Sequence, residues 1–220
     1  MSTSGTRYVS PPRTKARQAL APGAGVMRIE VWEMVRLTYI NNMSLDGYIE
    51  DRQGAFDFGP RDDDLFAAYT ELLGTVGTFL YGRRLYETMA GWETMPELAA
   101  QSSLAADFAH AWQAPNKIVY STTLATAPTA NTRIERAFDI SAVQQLKADA
   151  SRDLTVGGAD LASQALTAGL VDECTLFVWP VAVGDGKPAL PANARLSLEL
   201  LDQRRFANGV MLLQYRPRPQ

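Results

Sequence analysis

The chain has 220 residues, 46% of them hydrophobic and 20% charged, which suits one substantial globular domain and is short for two. No acid precedes Glu30. The five basic residues before it (Arg7, Arg13, Lys15, Arg17, Arg28) therefore leave 21 − 5 = 16 basic against 24 acidic side chains, a balance of −8 beyond the leader. That acidic body argues against a nucleic-acid surface, and no apolar run approaches the roughly 18 residues of a membrane span. Cys174 and His110 are the sole members of their types, so an internal disulfide is impossible and most His/Cys metal sites are excluded.

Residues 1–33 carry Pro11-Pro12 and Pro22-Gly23 with no sustained periodicity, and read as a flexible N-terminal extension; Met27 and Met34 are alternative starts. The domain is placed at 34–220. Val35–Ile40 alternates as a strand, and Ser44–Ile49 follows as a bend. Asp62–Asp64 place acids at a helix start, with Leu65, Phe66, Tyr69, Leu72 and Leu73 forming its apolar stripe. Val76–Tyr81 is a short apolar strand ended by Gly82, and Arg83–Met89 is helical. Glu97–Trp112 reads as one helix, and Lys117–Ser121 as a strand. Ser141 is expected to cap a helix to about Ala150, and Leu154–Val156 is a strand meeting Gly157-Gly158. Ala159–Ala168 is helical, and Cys174–Trp179 is a buried strand. Leu196–Arg205 and Val210–Tyr215 close the chain as a hairpin around Asn208-Gly209, where both turn residues tolerate positive φ. Alternation of this kind implies an α/β fold: a mostly parallel central sheet flanked by helices, with an antiparallel C-terminal hairpin.

Three strand-to-helix junctions concentrate the residues suited to chemistry. Ligands of open α/β sheets bind beyond the carboxyl ends of strands, so these junctions belong to one crevice. Gly157 and Gly158 permit close backbone approach to a pyrophosphate, and the helix from Ala159 and Asp160 offers free N–H groups. Arg83 and Arg84, after Gly82, suit the 2′-phosphate that separates NADPH from NADH, while Ser121 and Thr122 suit ribose or phosphate oxygens. Neither G-x-G-x-x-G nor G-x-x-x-x-G-K-[ST] is present.

The run Ser44-Leu45-Asp46-Gly47-Tyr48-Ile49 resembles the first-strand motif of the riboflavin-pathway reductase domain, the carboxyl half of the bacterial bifunctional deaminase-reductase and a relative of dihydrofolate reductase. Tyr81–Met89 resembles that family's Gly-Arg segment, Val156–Ala159 its Gly-Gly turn, and Leu170–Glu173 with Pro180-Val181 and Gly184–Gly186 its late strand and loop. The resemblance spans about Val35 to Tyr215. It implies an NADPH-dependent reductase transferring hydride to a C=N or C=O carbon of a small heterocycle, in a cytoplasmic homodimer. A non-catalytic nucleotide-binding or regulatory protein is the alternative.

By position, the resemblance assigns cofactor binding to Gly82, Arg83, Arg84, Ser121, Thr122, Gly157, Gly158, Ala159 and Asp160. It puts Ser44, Gly47 and Ile49 beside substrate, and makes Asp46 the candidate catalytic residue. Trp92, from its own chemistry, is a candidate to stack on a substrate ring. Asp63 and Asp64 fall near where folate reductases hold a proton-donating acid, though an acidic helix start explains them as well. Leu85 replaces a Thr common in the family segment. The zinc deaminase's H-x-E and P-C-x-x-C ligands cannot be built from His110 and Cys174.

Overall fold

A computed structural model describes residues 35–218; the expected extension over 1–33 lies outside the described residues. The elements are β1 Leu37–Ser44, β2 Tyr48–Asp51, α1 Asp63–Thr75, β3 Val76–Gly82, α2 Arg83–Thr94, α3 Pro96–Ala99, α4 Ser103–Gln113, β4 Asn116–Tyr120, β5 Thr132–Glu135, α5 Ile140–Asp149, β6 Asp153–Gly157, α6 Ala159–Thr167, β7 Glu173–Trp179, β8 Gly186–Pro188, β9 Leu198–Arg205 and β10 Met211–Pro217. Eight strands form one sheet in the order β5-β4-β3-β6-β1-β7-β10-β9, and β2 pairs with β8 as a separate ribbon. Pairing from β5 to β7 is parallel, and β10 runs antiparallel to β7 and β9. The mostly parallel sheet with its antiparallel edge agrees with the alternation of elements along the chain.

Crossover direction decides which face each helix covers, because right-handed connections running opposite ways along a sheet lie on opposite faces. From β1 the chain passes through α1 to β3, and through α2–α4 to β4. From β5 it returns through α5 to β6 and through α6 to β7. The core divides accordingly. Leu37, Tyr39, Leu154 and Val156 pack with Val143 of α5 and with Leu161, Ala162 and Ala165 of α6. Leu65 and Ala68 of α1 pack with Phe177 and Trp179, while Tyr86, Ala90 and Trp112 pack with Val76, Phe79 and Val119.

One irregularity in the sheet positions everything that follows. β1 pairs with β7 along seven residues, Thr38 to Ser44, but with β6 only from Leu37 to Tyr39. Beyond Tyr39 the two strands part, and their connections leave toward opposite faces. That is the switch-point arrangement at which open α/β sheets bind ligands.

Local capping corrects three sequence expectations. The stretch Glu97–Trp112 is two helices, because Ser102 accepts from Ala105 N at 3.1 Å and so starts α4 afresh behind the short α3. Asp139 caps α5, not Ser141: its Oδ1 accepts from Ser141 N at 2.8 Å and Ala142 N at 3.1 Å. In the final turn only Gly209 takes positive φ (+88°); Asn208 instead accepts from Val210 N at 3.1 Å, so a three-residue loop closes the hairpin. Strands β2, β5 and β8 were not foreseen. All three are short; β2 and β8 lack apolar alternation, and in β5 the alternation of Thr132 and Ile134 with Arg133 and Glu135 spans only four residues.

Cys174 lies fully buried in β7. Burial, reinforced by the neighbouring Glu173 charge, pushes its thiol from 9.0 up to about 12. A disulfide-exchange reagent at pH 8 is therefore expected to label native protein no faster than it unfolds. Because the folded-state value is raised, the thiol's contribution to stability is complete below pH 9 and is lost as pH climbs toward 12. Cys174→Ala should flatten the alkaline limb of a stability–pH profile; an unchanged limb would contradict this account.

Candidate active site

β3 and β6 end side by side, with Tyr81 paired to Gly157. Each strand runs straight into a helix whose N-cap is glycine without a side-chain cap bond: Gly82 for α2 and Gly158 for α6. Gly158 sits at φ +92°, and a Cβ built there would come within 3.5 Å of Gly82 N. Two uncapped helix N-termini thus lie against each other, their free N–H groups and positive dipole ends at one place. A pyrophosphate fits that chemistry, and absent side chains leave the backbone open to it. Gly82, Gly157, Gly158 and Ala159 are brought together here.

Arg83 and Arg84 are separated by the structure. Arg83 reaches toward the end of β4, donating to Thr123 Oγ1 at 2.7 Å and pairing with Glu87 at 2.9 Å. Ser121 is buried, its Oγ accepting from Thr123 N and Leu124 N at 3.2 and 2.9 Å, so it builds the turn beside Arg83; Thr122 in that turn is exposed. Arg84 turns the other way and forms a forked pair with Glu50 of β2, at 3.1 and 3.2 Å. Asp160 is engaged by Lys187 Nζ at 2.6 Å, tying the start of α6 to β8.

A cavity of about 820 Å³ opens where β1 and β6 part. Ile40 to Asn42 of β1 and Thr155 to Gly157 of β6 line it, continuing to Gly158 and Ala159 and joined by residues of α1, α2 and β2. Ile49 and Trp92, the candidate substrate residues, line it, and so does Arg84, which the sequence reading assigned to the cofactor. Residues that sequence reasoning missed also line it, among them Asn42, Glu50, Arg61, Phe66, Tyr69 and Phe108. Phe66 and Tyr69 were hidden in the apolar stripe of a helix. The signal available for Asn42 was two successive asparagines in a strand, where asparagine is depleted.

Asp46 is placed elsewhere. It lies outside the cavity lining, and its exposed carboxylate accepts from Val183 N at 3.2 Å and Gly184 N at 2.7 Å. The Ser44 hydroxyl, then those backbone N–H groups, hold it below its ordinary value, so it stays ionised and pins the loop after β7 to the β1–β2 turn. Ser44 and Gly47 belong to the same turn: buried Ser44 Oγ accepts from Tyr48 N at 3.0 Å, and Gly47 supplies φ +93°. None of the three lines the cavity, and neither does Asp63 or Asp64, which form the first turn of α1. Among the described residues no group of three or more His, Cys, Asp or Glu is placed to hold a metal ion, and no helix is long and apolar enough to cross a membrane.

A sheet that splits at its switch point, with two glycine-capped helix termini opening onto one large, mostly apolar cavity, defines an α/β ligand-binding domain. Residues 35–212 match the RibD C-terminal domain family, and the chain belongs to that family. It is 29% identical over 175 residues to the uncharacterized Bacillus subtilis protein YyaP, covering 79% of this chain and 90% of YyaP. Its fold is similar to that of a Shewanella sp. PV-4 protein assigned to riboflavin biosynthesis (TM-score 0.66, 18% identity, 84% of this chain and 100% of that one). It is also similar to a Corynebacterium diphtheriae pyrimidine reductase-like protein (TM-score 0.57, 13% identity, 84% and 93%). The Thermotoga maritima diaminohydroxyphosphoribosylaminopyrimidine deaminase/5-amino-6-(5-phosphoribosylamino)uracil reductase shares the fold (TM-score 0.56, 16% identity), with 84% of this chain matching 57% of that protein.

Proposed function

We propose that the protein is an NADPH-dependent reductase of a small heterocyclic or related carbonyl compound. The observation that carries this reading is the contact between the glycine caps of α2 and α6, a site made for a pyrophosphate beside a cavity large enough for a second ligand. NADPH, when bound, supplies the hydride. The protein's part is to hold and orient. Gly82, Gly157, Gly158 and Ala159 receive the pyrophosphate on backbone N–H groups. Arg83, with the Ser121–Thr123 turn, receives the 2′-phosphate, being the arginine that reaches the end of β4. Arg84, fixed by Glu50, stands on the cavity side. The acids of the cavity lining, Glu50 and Glu87, are both paired with arginines.

Calorimetric titration with NADPH and NADH tests the reading. Wild-type protein should prefer NADPH. Arg83→Ala should lose about 10- to 100-fold in NADPH affinity and leave NADH binding nearly unchanged, the effect of removing charge-assisted bonds to one phosphate. Arg84→Ala, which removes a residue paired with Glu50 on the cavity side, should leave the affinity for both nucleotides nearly unchanged. Failure to bind either nucleotide would sink the reductase reading. Binding without oxidation of NADPH across a panel of pterins, pyrimidines and quinones would instead make this a nucleotide-binding protein without turnover.

A further inference from the structure

Asn42 is held in one orientation by two donors. Trp179 Nε1 donates to its Oδ1 at 2.8 Å, and Tyr69 Oη donates to the same oxygen at 2.5 Å. An indole N–H only donates, so the atom that receives it is the amide oxygen and the amide is not flipped. Burial raises the Tyr69 hydroxyl from 10.0 to about 12, which keeps it a donor at neutral pH. Both acceptor positions of Oδ1 are thereby used. The other end of the amide, Nδ2, has no acceptor among the described residues, although Asn42 lines the cavity and is only partly buried. The result is a preoriented neutral donor on the wall of the cavity.

The same compartment has an aromatic wall assembled from three helices. Trp92 of α2 and Phe108 of α4 lie 4.7 Å apart between ring centroids, and Phe66 of α1 lies 5.1 Å from Phe108 and 6.1 Å from Trp92. Its cations are largely answered within the protein: Arg84 by Glu50 and Lys187 by Asp160. Arg61 remains, at the exposed rim beside Tyr69, where water screens its charge. The backbone donors of Gly157, Gly158 and Ala159 open onto the same cavity but are given to the cofactor pyrophosphate, so a substrate phosphate would have to displace the Arg84 or Lys187 pair or depend on Arg61.

We infer, building on the reductase reading, that the substrate is a flat, uncharged and phosphate-free ring bearing a carbonyl group, such as a cyclic lactam or conjugated ketone. Its oxygen accepts from Asn42 Nδ2, and its face lies against the wall of Trp92, Phe66 and Phe108. Asn42 is then a specificity-determining residue that selects for an acceptor and leaves the reacting carbon to the neighbouring cofactor site.

The test is calorimetric titration of the full chain with 1(2H)-isoquinolinone, a two-ring lactam, and in parallel with uridine 5′-monophosphate, with and without saturating NADPH. The lactam should bind at least tenfold more tightly than the nucleotide; equal or tighter binding of the nucleotide overturns the proposal without any variant being needed. Asn42→Asp keeps an oxygen for Tyr69 and Trp179 but replaces the Nδ2 donor with an acceptor. It should weaken the lactam about tenfold, the effect of one hydrogen bond, yet bind naphthalene, which has rings and no acceptor, as wild type does. Undiminished lactam binding by Asn42→Asp, or equal loss of both probes, overturns the role of Asn42. If NADPH binds and the lactam does not, this proposal fails and the reductase reading stands. If the lactam binds through Asn42 and neither nicotinamide nucleotide binds, the reverse holds.

Discussion

Gly158→Val should lower NADPH affinity by at least 100-fold while leaving a folded protein. Gly158 holds φ +92° with ψ +120°, outside the left-handed helical well, where a residue with a side chain costs about 1–3 kcal/mol of backbone strain. The larger effect is steric. A Cβ at this position stands 3.5 Å from Gly82 N and 3.6 Å from Gly82 Cα, between the two helix termini whose N–H groups must reach the same phosphate oxygens. A valine side chain extends further into that space, so the backbone no longer meets an anion at hydrogen-bond distance. Fluorescence or calorimetric titration reads the affinity, and denaturant unfolding separates it from the strain cost. Wild-type affinity in a folded Gly158→Val variant would remove the glycine contact from the account of the site.

Trp112→Ala should cost about 3–5 kcal/mol of stability, the range for truncating a buried tryptophan. Trp112 is among the largest fully buried side chains and packs into the cluster formed by Val76, Phe79, Tyr81 and Val119. It also carries Lys117, whose ammonium lies 4.5 Å from the ring centroid while donating to Gln113 O at 3.0 Å and Pro115 O at 3.1 Å. Lys117 is 1% exposed, and desolvation lowers its pKa from the ordinary value. Removal of the ring therefore leaves a void and strips a buried cation of one of its few favourable contacts. Guanidinium or urea unfolding, with the slope compared to wild type, measures the loss. A cost below about 1.5 kcal/mol would mean that α4 collapses onto the sheet more readily than close packing allows.

The order of elements, the parallel sheet and its antiparallel edge were legible in the sequence because period and punctuation are local signals. Val76–Tyr81 and Cys174–Trp179 are predominantly apolar runs, as strands covered on both faces tend to be, and Gly82 and Gly157-Gly158 end strands where the backbone turns into helices. The glycine half of the site was legible for the same reason: backbone exposure at a strand end depends on the lack of a side chain, which a sequence states outright. Capping was only partly legible. Asp62 was placed correctly among the acids opening α1, but Asp139 and Ser102 were missed because several residues within one turn have suitable oxygens, and backbone conformation chooses among them.

What tertiary structure alone decided was partnership. Asp46 sits in a motif that invites a catalytic role, yet its carboxylate is consumed by two N–H groups of a loop 137 and 138 positions away. Arg83 and Arg84 are neighbours in sequence, but consecutive helix positions project about 100° apart, and each found a different acid on a different element. Asn42, Tyr69 and Trp179 come from β1, α1 and β7, with no spacing to announce them; only the parting of β1 from β6 opens a cavity over them. By itself the sequence determined the layers of this protein and the bare backbone at its strand ends. Which polar groups remained free for a ligand was decided only on folding, because a side chain's availability depends on long-range contacts that satisfy its neighbours first.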